Sequence, residues 1–302
     1  MVRSLTVSHY LKNWLAHVEK ARRHTTYALY ESLIRNYVIN HIGRYRLTQI
    51  KRRHIRSLLD SLCERVGSRT RQLVHRVLRQ AFAEAIEDEL ITVNPCFRKD
   101  KPRYESADHR PLTLDEARRM LTAARRTDYH VLFFLALVTG MRQGEIFALR
   151  WDAVDFDTSS VFVRASLGRD RDGKPVLTPP KASRRRRIDV GSAMRELLIE
   201  HRRLKPDGVW VFTDRHGDPL EKDRFVRGIF HPLLRRAGIR RIRFHDLRHT
   251  SATLALANGV NVKVVSERLG HSSAQMTLDV YTRALPTLQR DAAALMERLI
   301  VE

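Results

Sequence analysis

The chain has 302 residues, 43% hydrophobic and 30% charged, which is enough for one large domain or two ordinary ones with a real core. Its 56 lysines and arginines outweigh 34 acidic residues, a net charge of +22 that a small acidic substrate does not explain and a polyanion does. Two cysteines, Cys63 and Cys96, exclude a disulfide framework and a Cys-rich zinc site, and the longest apolar run, Val131–Val138, is far too short to span a membrane.

The charge is distributed. Residues 1–100 hold 19 basic and 9 acidic side chains, so no single tail carries the excess. Arginine supplies 46 of the 56 basic groups, and base composition alone can produce part of that bias. The N-terminus lacks the apolar stretch and small-residue cleavage site of a signal peptide, and the expected location is the cytoplasm, on the nucleoid, with no membrane role.

The first hundred residues predict helices throughout. Leu11, Trp14, Leu15 and Val18 recur at helical spacing. A second helix is expected from about Thr25 to His41, with Tyr27, Tyr30, Leu33, Ile34 and Val38 on one face. A third is expected from near Thr48 to before Gly67, and a fourth from Ser68 to before Asn94-Pro95. Both cysteines sit in these apolar helical patterns and are expected to be reduced core residues. The polar faces carry Arg44, Arg46, Lys51, Arg52, Arg53, Arg56, Arg69, Arg71, Arg76 and Arg79. Such a face is either solvated or turned to DNA, and the net charge favours DNA.

Residues 97–111 are polar, charged and bounded on the far side by proline, which predicts a linker. The expected division is therefore 1–100, a helical DNA-binding domain; 101–111, a linker; and 112–302, a second domain. Thr113-Leu-Asp-Glu116 reads as a capping box opening a helix. An apolar helix is expected over Tyr129–Thr139, short strands at Ser160–Arg164, Pro175–Leu177 and Arg187–Val190, and helices at Ser192–Leu204, Lys222–Ala237, Asp246–Asn258 and Val262–Leu269. The predicted class is mainly α with a small antiparallel β-sheet (α+β). Beyond Leu285-Pro286 an apolar stripe of Leu288, Ala292, Leu295, Met296 and Leu299 predicts a last helix, packed on its own domain or on a neighbour.

His245 and His249 stand four apart as in zinc proteases, but Asp-Leu-Arg248 between them lacks the general-base glutamate and places a cation beside the metal. No phosphate-binding GxxxxGK[ST] loop and no Gly-x-Ser-x-Gly elbow is present, so neither ATP nor a serine hydrolase is indicated. What remains is a set of cations near glycines and helix starts, with one late hydroxyl. Arg142 lies in Thr139-Gly-Met-Arg142-Gln-Gly-Glu145, His245 and Arg248 share a helix face, His271 follows Leu269-Gly270, and Tyr281 follows ten residues later. Two arginines, two histidines and a hydroxyl nucleophile suffice for phosphoryl transfer without a metal. The guanidinium forks take the non-bridging oxygens, and the histidines add hydrogen bonds or move protons.

In combination and order these residues resemble the tyrosine recombinase, or phage integrase, family. Thr139-Gly-Met-Arg142-Gln-Gly-Glu145-Ile resembles the family's first arginine box, Phe244-His245-Asp-Leu-Arg248-His-Thr-Ser-Ala-Thr253 its HxxR box, and Leu269-Gly-His271-Ser-Ser with Tyr281 its last two catalytic positions. The N-terminal bundle fits the family's core-binding domain, and no preceding arm-site domain is expected. The resemblance implies a site-specific recombinase in which Tyr281 forms a 3′-phosphotyrosine, Arg142, Arg248 and His271 hold the phosphate, and His245 assists proton transfer. Glu145 is implied to orient the site. The family's lysine lies on a hairpin between the arginine boxes. Lys181 fits the shorter hairpin variants, and Lys174, at an Asp-Gly-Lys turn, is the alternative. No cofactor and no metal are implied. The implied partners are double-stranded DNA at core sites, a homotetramer on synapsed DNA, and room for an accessory directionality factor. Two rivals are a type IB topoisomerase and a DNA-binding regulator that has lost catalysis.

Overall fold

The computed structural model describes residues 5–104, 110–170, 172–180, 185–204, 208–270, 296–298 and 300–301. The chain divides into two compact units, Met1–Ala107 and Asp108–Glu302. Among the described residues no helix is long and apolar enough to cross a membrane.

In the first unit α1 (Val7–Ala21) starts where Thr6 accepts a hydrogen bond from the His9 N–H, and it buries Val7, Tyr10, Leu11, Trp14, Leu15 and Val18. The predicted second helix is three pieces: α2 (His24–Leu33), a π-helical turn over Ile34–Val38, and α3 (Ile39–Ile42). The wider turn leaves the Leu33, Ile34 and Val38 stripe buried. The third helix starts later than expected. Leu47–Gln49 form a 3-10 turn, and α4 covers Arg52–Ser61. The long α5 (Ser68–Glu87) is the bundle's spine, receiving the Tyr10 hydroxyl at Ala81 O (2.6 Å) and the Trp14 indole N–H at Glu84 (2.6 Å).

The cysteine expectation holds for burial at one position only. Cys96 is buried, in non-helical chain after Asn94-Pro95, whereas Cys63 is exposed. Because α4 ends at Ser61, Cys63 lies beyond the apolar stripe, and its sulfur receives Arg71 Nη1 at 2.8 Å. Arg71 is one of several predicted surface cations engaged within the unit. Arg52 pairs with Asp100 through two 2.6 Å bonds, and Arg79 donates to Cys96 O at 2.7 Å. Arg44, Arg46, Lys51, Arg53, Arg56, Arg69 and Arg76 remain exposed. The Arg52–Asp100 pair, a Gln72 bond to Pro102 O and Arg69 over the Tyr104 ring hold this first stretch of the polar segment against the bundle.

The second unit opens on α6 (Leu114–Ala124), with the expected Thr113–Glu116 capping box formed in both directions. The apolar α7 (His130–Thr139) is central, burying Leu132, Phe133, Leu135 and Ala136. It is followed by the short α8 (Gln143–Phe147). Two small antiparallel sheets replace the single one expected. β1 (Val154–Asp155), β2 (Ser160–Val163) and β5 (Arg186–Asp189) form one in the order β1-β2-β5, while β3 (Ser166–Arg169) and β4 (Pro175–Thr178) form a separate hairpin. The chain continues through α9 (Ser192–Leu204), α10 (Lys222–Phe225), α11 (His231–Arg236), α12 (Asp246–Ala257) and α13 (Val262–Leu269). A π-helical turn at Val226–Phe230 separates α10 from α11 where one helix was expected. Phe133, Phe147, Phe225, Phe230 and Phe244 interlock at centroid distances of 5.2–6.3 Å, and this aromatic core anchors the elements that carry the site.

Of the predicted C-terminal stripe, only Met296 is described. It is helical and exposed, and the other positions lie outside the described residues.

Candidate active site

The ends of α7 and α13 and the starts of α8 and α12 converge. Gly140 ends α7 in the left-handed region (φ 62°), and a Cβ there would stand 2.4 Å from the Leu269 side chain. Glycine therefore lets α7 and α13 approach at a point where its carbonyl is turned to Arg248 Nη1, 2.9 Å away. Gly144 permits a second close approach, since a Cβ would meet Ser166 Oγ at 2.6 Å and Leu167 O at 2.9 Å. These contacts seat α8 on strand β3.

Arg142 precedes α8 in extended backbone, and Glu145, one turn later, is fully buried. Glu145 accepts the Arg142 N–H and Nη1, each at 2.9 Å, while Arg142 Nη2 reaches Gly270 O at 3.2 Å. Burial alone would push the Glu145 carboxyl up, but the guanidinium groups of Arg186 and Arg142 hold it below the ordinary glutamate value. It is an orienting anion.

Arg248, in the first turn of α12, is buried, and its Nη2 has no hydrogen-bond partner among the described residues. Burial and the nearby Arg142 charge push its pKa down to about 9, which leaves it a cation at neutral pH. A buried, half-satisfied guanidinium is costly unless an anion completes it. The Gln143 side-chain nitrogen is also buried without a partner among the described residues, and it lines a cavity of about 640 Å³ together with His245, Arg241 and Lys222. Gln143 is absent from the sequence-derived set because a lone glutamine carries no chemical signature.

His245 stands at the start of α12, its ring edge-on to His249 at 5.0 Å. Crowding by protein, then the charges of His249, Arg248 and Arg243, push its pKa down to about 4. The ring lines the cavity and is neutral at pH 7. Neutral His245 thus has one ring nitrogen with a lone pair to accept a hydrogen bond.

The structure brings Arg142, Arg248 and Glu145 into one cluster, with His245 on the same helix as Arg248. Lys181, His271 and Tyr281 lie outside the described residues, although Gly270, whose carbonyl Arg142 holds, immediately precedes His271 in sequence. Lys174 is exposed at the tip of the β3–β4 hairpin, with its N–H on Asp170. Arg186 was missed as a site residue. It sits on β5, its side chain only 8% exposed, and donates to both Glu145 oxygens at 3.1 and 2.7 Å. The signal was the strand period. Arg186 stands two residues before the buried Ile188 and so shares its inward face, while Arg185 and Arg187 are exposed.

A family model described as the phage integrase family matches residues 110–287, more than half of the chain. The chain belongs to the phage integrase family. This makes it a tyrosine recombinase, an enzyme of site-specific DNA strand breakage and rejoining. A second model, the phage integrase N-terminal SAM-like domain, matches residues 6–63 of the recombinase. A "Tyrosine recombinase XerC-like" protein of Caldanaerobacter subterraneus subsp. tengcongensis is 26% identical, the alignment covering 98% of this chain and 84% of that protein. A putative prophage phiRv2 integrase of Mycobacterium tuberculosis is 28% identical, covering 96% of this chain and 77% of its own. Among solved structures, the Tn1549 transposon integrase in complex with a circular intermediate DNA superposes with a TM-score of 0.86 at 22% identity, over 98% of this chain and 100% of that chain. A lambda integrase tetramer bound to a Holliday junction superposes with a TM-score of 0.72 at 22% identity, over 92% and 78%. These structural likenesses concern the fold.

Proposed function

We propose that the recombinase cleaves double-stranded DNA at core sites through a 3′-phosphotyrosine on Tyr281 and rejoins the strands without metal or ATP. The observation that carries this reading is the Nη2 of buried Arg248, unpartnered among the described residues and close to Arg142, two cations fixed by a carbonyl and a carboxylate before any phosphate arrives. The Tyr281 oxygen attacks phosphorus, the 5′-oxygen leaves, and neutral His245 helps take the tyrosine proton. Arg142, Arg248 and His271 hold the non-bridging oxygens, and Lys181 gives the leaving oxygen its proton. The arginines neutralise the phosphate, and the phosphodiester energy is kept in the covalent intermediate. A second DNA end reverses the step.

The exposed basic side chains of the first unit support a duplex-binding surface there. On this reading, residues 1–100 bind the core site, residues 101–111 connect, and residues 112–302 catalyse. Four protomers assemble on two synapsed duplexes, the C-terminal helix docking on a neighbour, with an accessory factor setting direction where one is used. The reaction takes place in the cytoplasm, on the nucleoid. Incubation with supercoiled plasmids tests the activity class. A plasmid carrying the DNA that flanks the gene is expected to recombine, and one lacking it to stay supercoiled. Efficient relaxation of the second plasmid would instead indicate type IB topoisomerase activity.

The lysine has its own test. Lys181→Ala is expected to slow cleavage strongly on ordinary DNA and much less on DNA with a 5′-bridging sulfur, whose thiolate leaves without a proton. Rescue of Lys174→Ala but not of Lys181→Ala would transfer the role to Lys174.

A further inference from the structure

We propose that Arg186 is a positioning residue of the recombinase, one that shares the charge of Glu145 so that Arg142 keeps a net positive charge for the phosphate. The inference rests on the phosphate-holding role proposed for Arg142.

Four donors converge on the Glu145 carboxylate. Oε1 takes Arg142 Nη1 at 2.9 Å and Arg186 Nη1 at 3.1 Å, while Oε2 takes the Arg142 N–H at 2.9 Å and Arg186 Nη2 at 2.7 Å. Every acceptor direction is engaged, so Glu145 is saturated as a ligand. The charge balance gives this arrangement its consequence. Glu145 with Arg142 alone would be a neutral buried pair, with little field left for an anion. Two guanidinium groups on one carboxylate leave one positive charge, and Arg248 adds a second. The cluster therefore meets a phosphate diester with an excess of positive charge.

The same side chain also ties three elements together. Its Nε donates to Arg268 O at 2.7 Å, and its guanidinium lies 3.1 Å from where a Gly270 Cβ would stand. Glycine at 270, with φ 66°, is what lets the end of α13 rest on Arg186. Arg268 in turn donates to Asp189 O on β5 and to Val138 O on α7. Arg186 thus holds Glu145, and through it Arg142, against the turn that leads to His271. It touches no substrate on this account and acts through Glu145.

Single-turnover adduct formation on a nicked suicide substrate tests this, with half-site binding measured in parallel. Arg186→Gln is expected to bind the half-site within about twofold of wild type and to cleave about 10- to 100-fold more slowly, the scale on which outer partners of a site act. Lowering the pH should restore part of that loss, because protonating Glu145 releases Arg142 from it. The pair Glu145→Gln with Arg186→Gln restores the net charge and should cleave faster than Arg186→Gln alone. A purely structural role predicts neither recovery, and their joint absence would overturn the proposal, as would normal cleavage by Arg186→Gln. If Arg186→Gln does not fold, the paired variant carries the test. Cleavage within about tenfold of wild type supports charge sharing, and a loss as large as that of Arg142→Ala refutes it. A wild-type protein that forms no adduct would instead remove the proposed function itself.

Discussion

Replacing Tyr281 with phenylalanine is expected to abolish the covalent protein–DNA adduct while leaving DNA affinity close to wild type. The substitution removes one oxygen, the nucleophile, and binding is expected to spread over many phosphate contacts of a chain whose net charge is +22. Gel shift and denaturing gels on the same suicide substrate separate the two effects. Tyr129 and Tyr104 are poorly suited to replace it. Tyr129 packs edge-on against Phe225 at 5.1 Å, and burial raises its pKa, so its phenolate is harder to form. Tyr104 is covered by the Arg69 guanidinium in the first unit. An adduct formed by the phenylalanine variant would place the nucleophile elsewhere.

Arg248→Ala is expected to reduce the cleavage rate by about 10²- to 10³-fold, or about 3 kcal/mol at the transition state, the usual cost of losing an oriented charge stabiliser. Arg142→Ala should lose a similar amount. The two differ in what they leave behind. Removing Arg142 strands part of the Glu145 carboxylate, which Arg186 still satisfies from its other side. Removing Arg248 deletes a buried cation that its surroundings already disfavour, as its lowered pKa records, so stability should fall far less than activity. Single-turnover rates set beside thermal melting check both statements. Near-normal cleavage by either variant would take that residue out of the phosphate site.

Much of the architecture was legible wherever a local rule has a local cause. The Thr113–Glu116 capping box starts α6, and α9 and α13 have the predicted bounds, because periodicity and end signals act within a few residues. The two π-helical turns were not legible. One extra residue per turn hardly disturbs an apolar stripe, as Leu33, Ile34 and Val38 show. Strand β3 was missed for a different reason. Ser-Leu-Gly-Arg has no apolar alternation, and it is a strand because β4 pairs with it and α8 packs on it through Gly144. Cys63 shows how a helix boundary displaced by a few residues moves a side chain from core to surface.

Of the candidate site, the sequence picked out Arg142, His245 and Arg248, which the structure brings to neighbouring helix ends, but not all of the residues that hold them. Arg186 stands among exposed arginines; the strand period turns it inward with Ile188, but its pairing with a buried carboxylate from a distant helix cannot be read from that period. Long-range charge pairing has no sequence period.

The central claim is that strand cleavage proceeds through a phosphotyrosine on Tyr281, stabilised by arginines rather than by a metal. It is tested most directly by trapping the wild-type protein on a nicked suicide substrate in the presence of a chelator and without nucleotide, then mapping the adduct by peptide mass spectrometry. The expected result is a DNA 3′-phosphate on the peptide containing Tyr281, with a free 5′-hydroxyl on the released strand. No adduct in chelator, a 5′-linkage, or attachment to another residue would contradict the account.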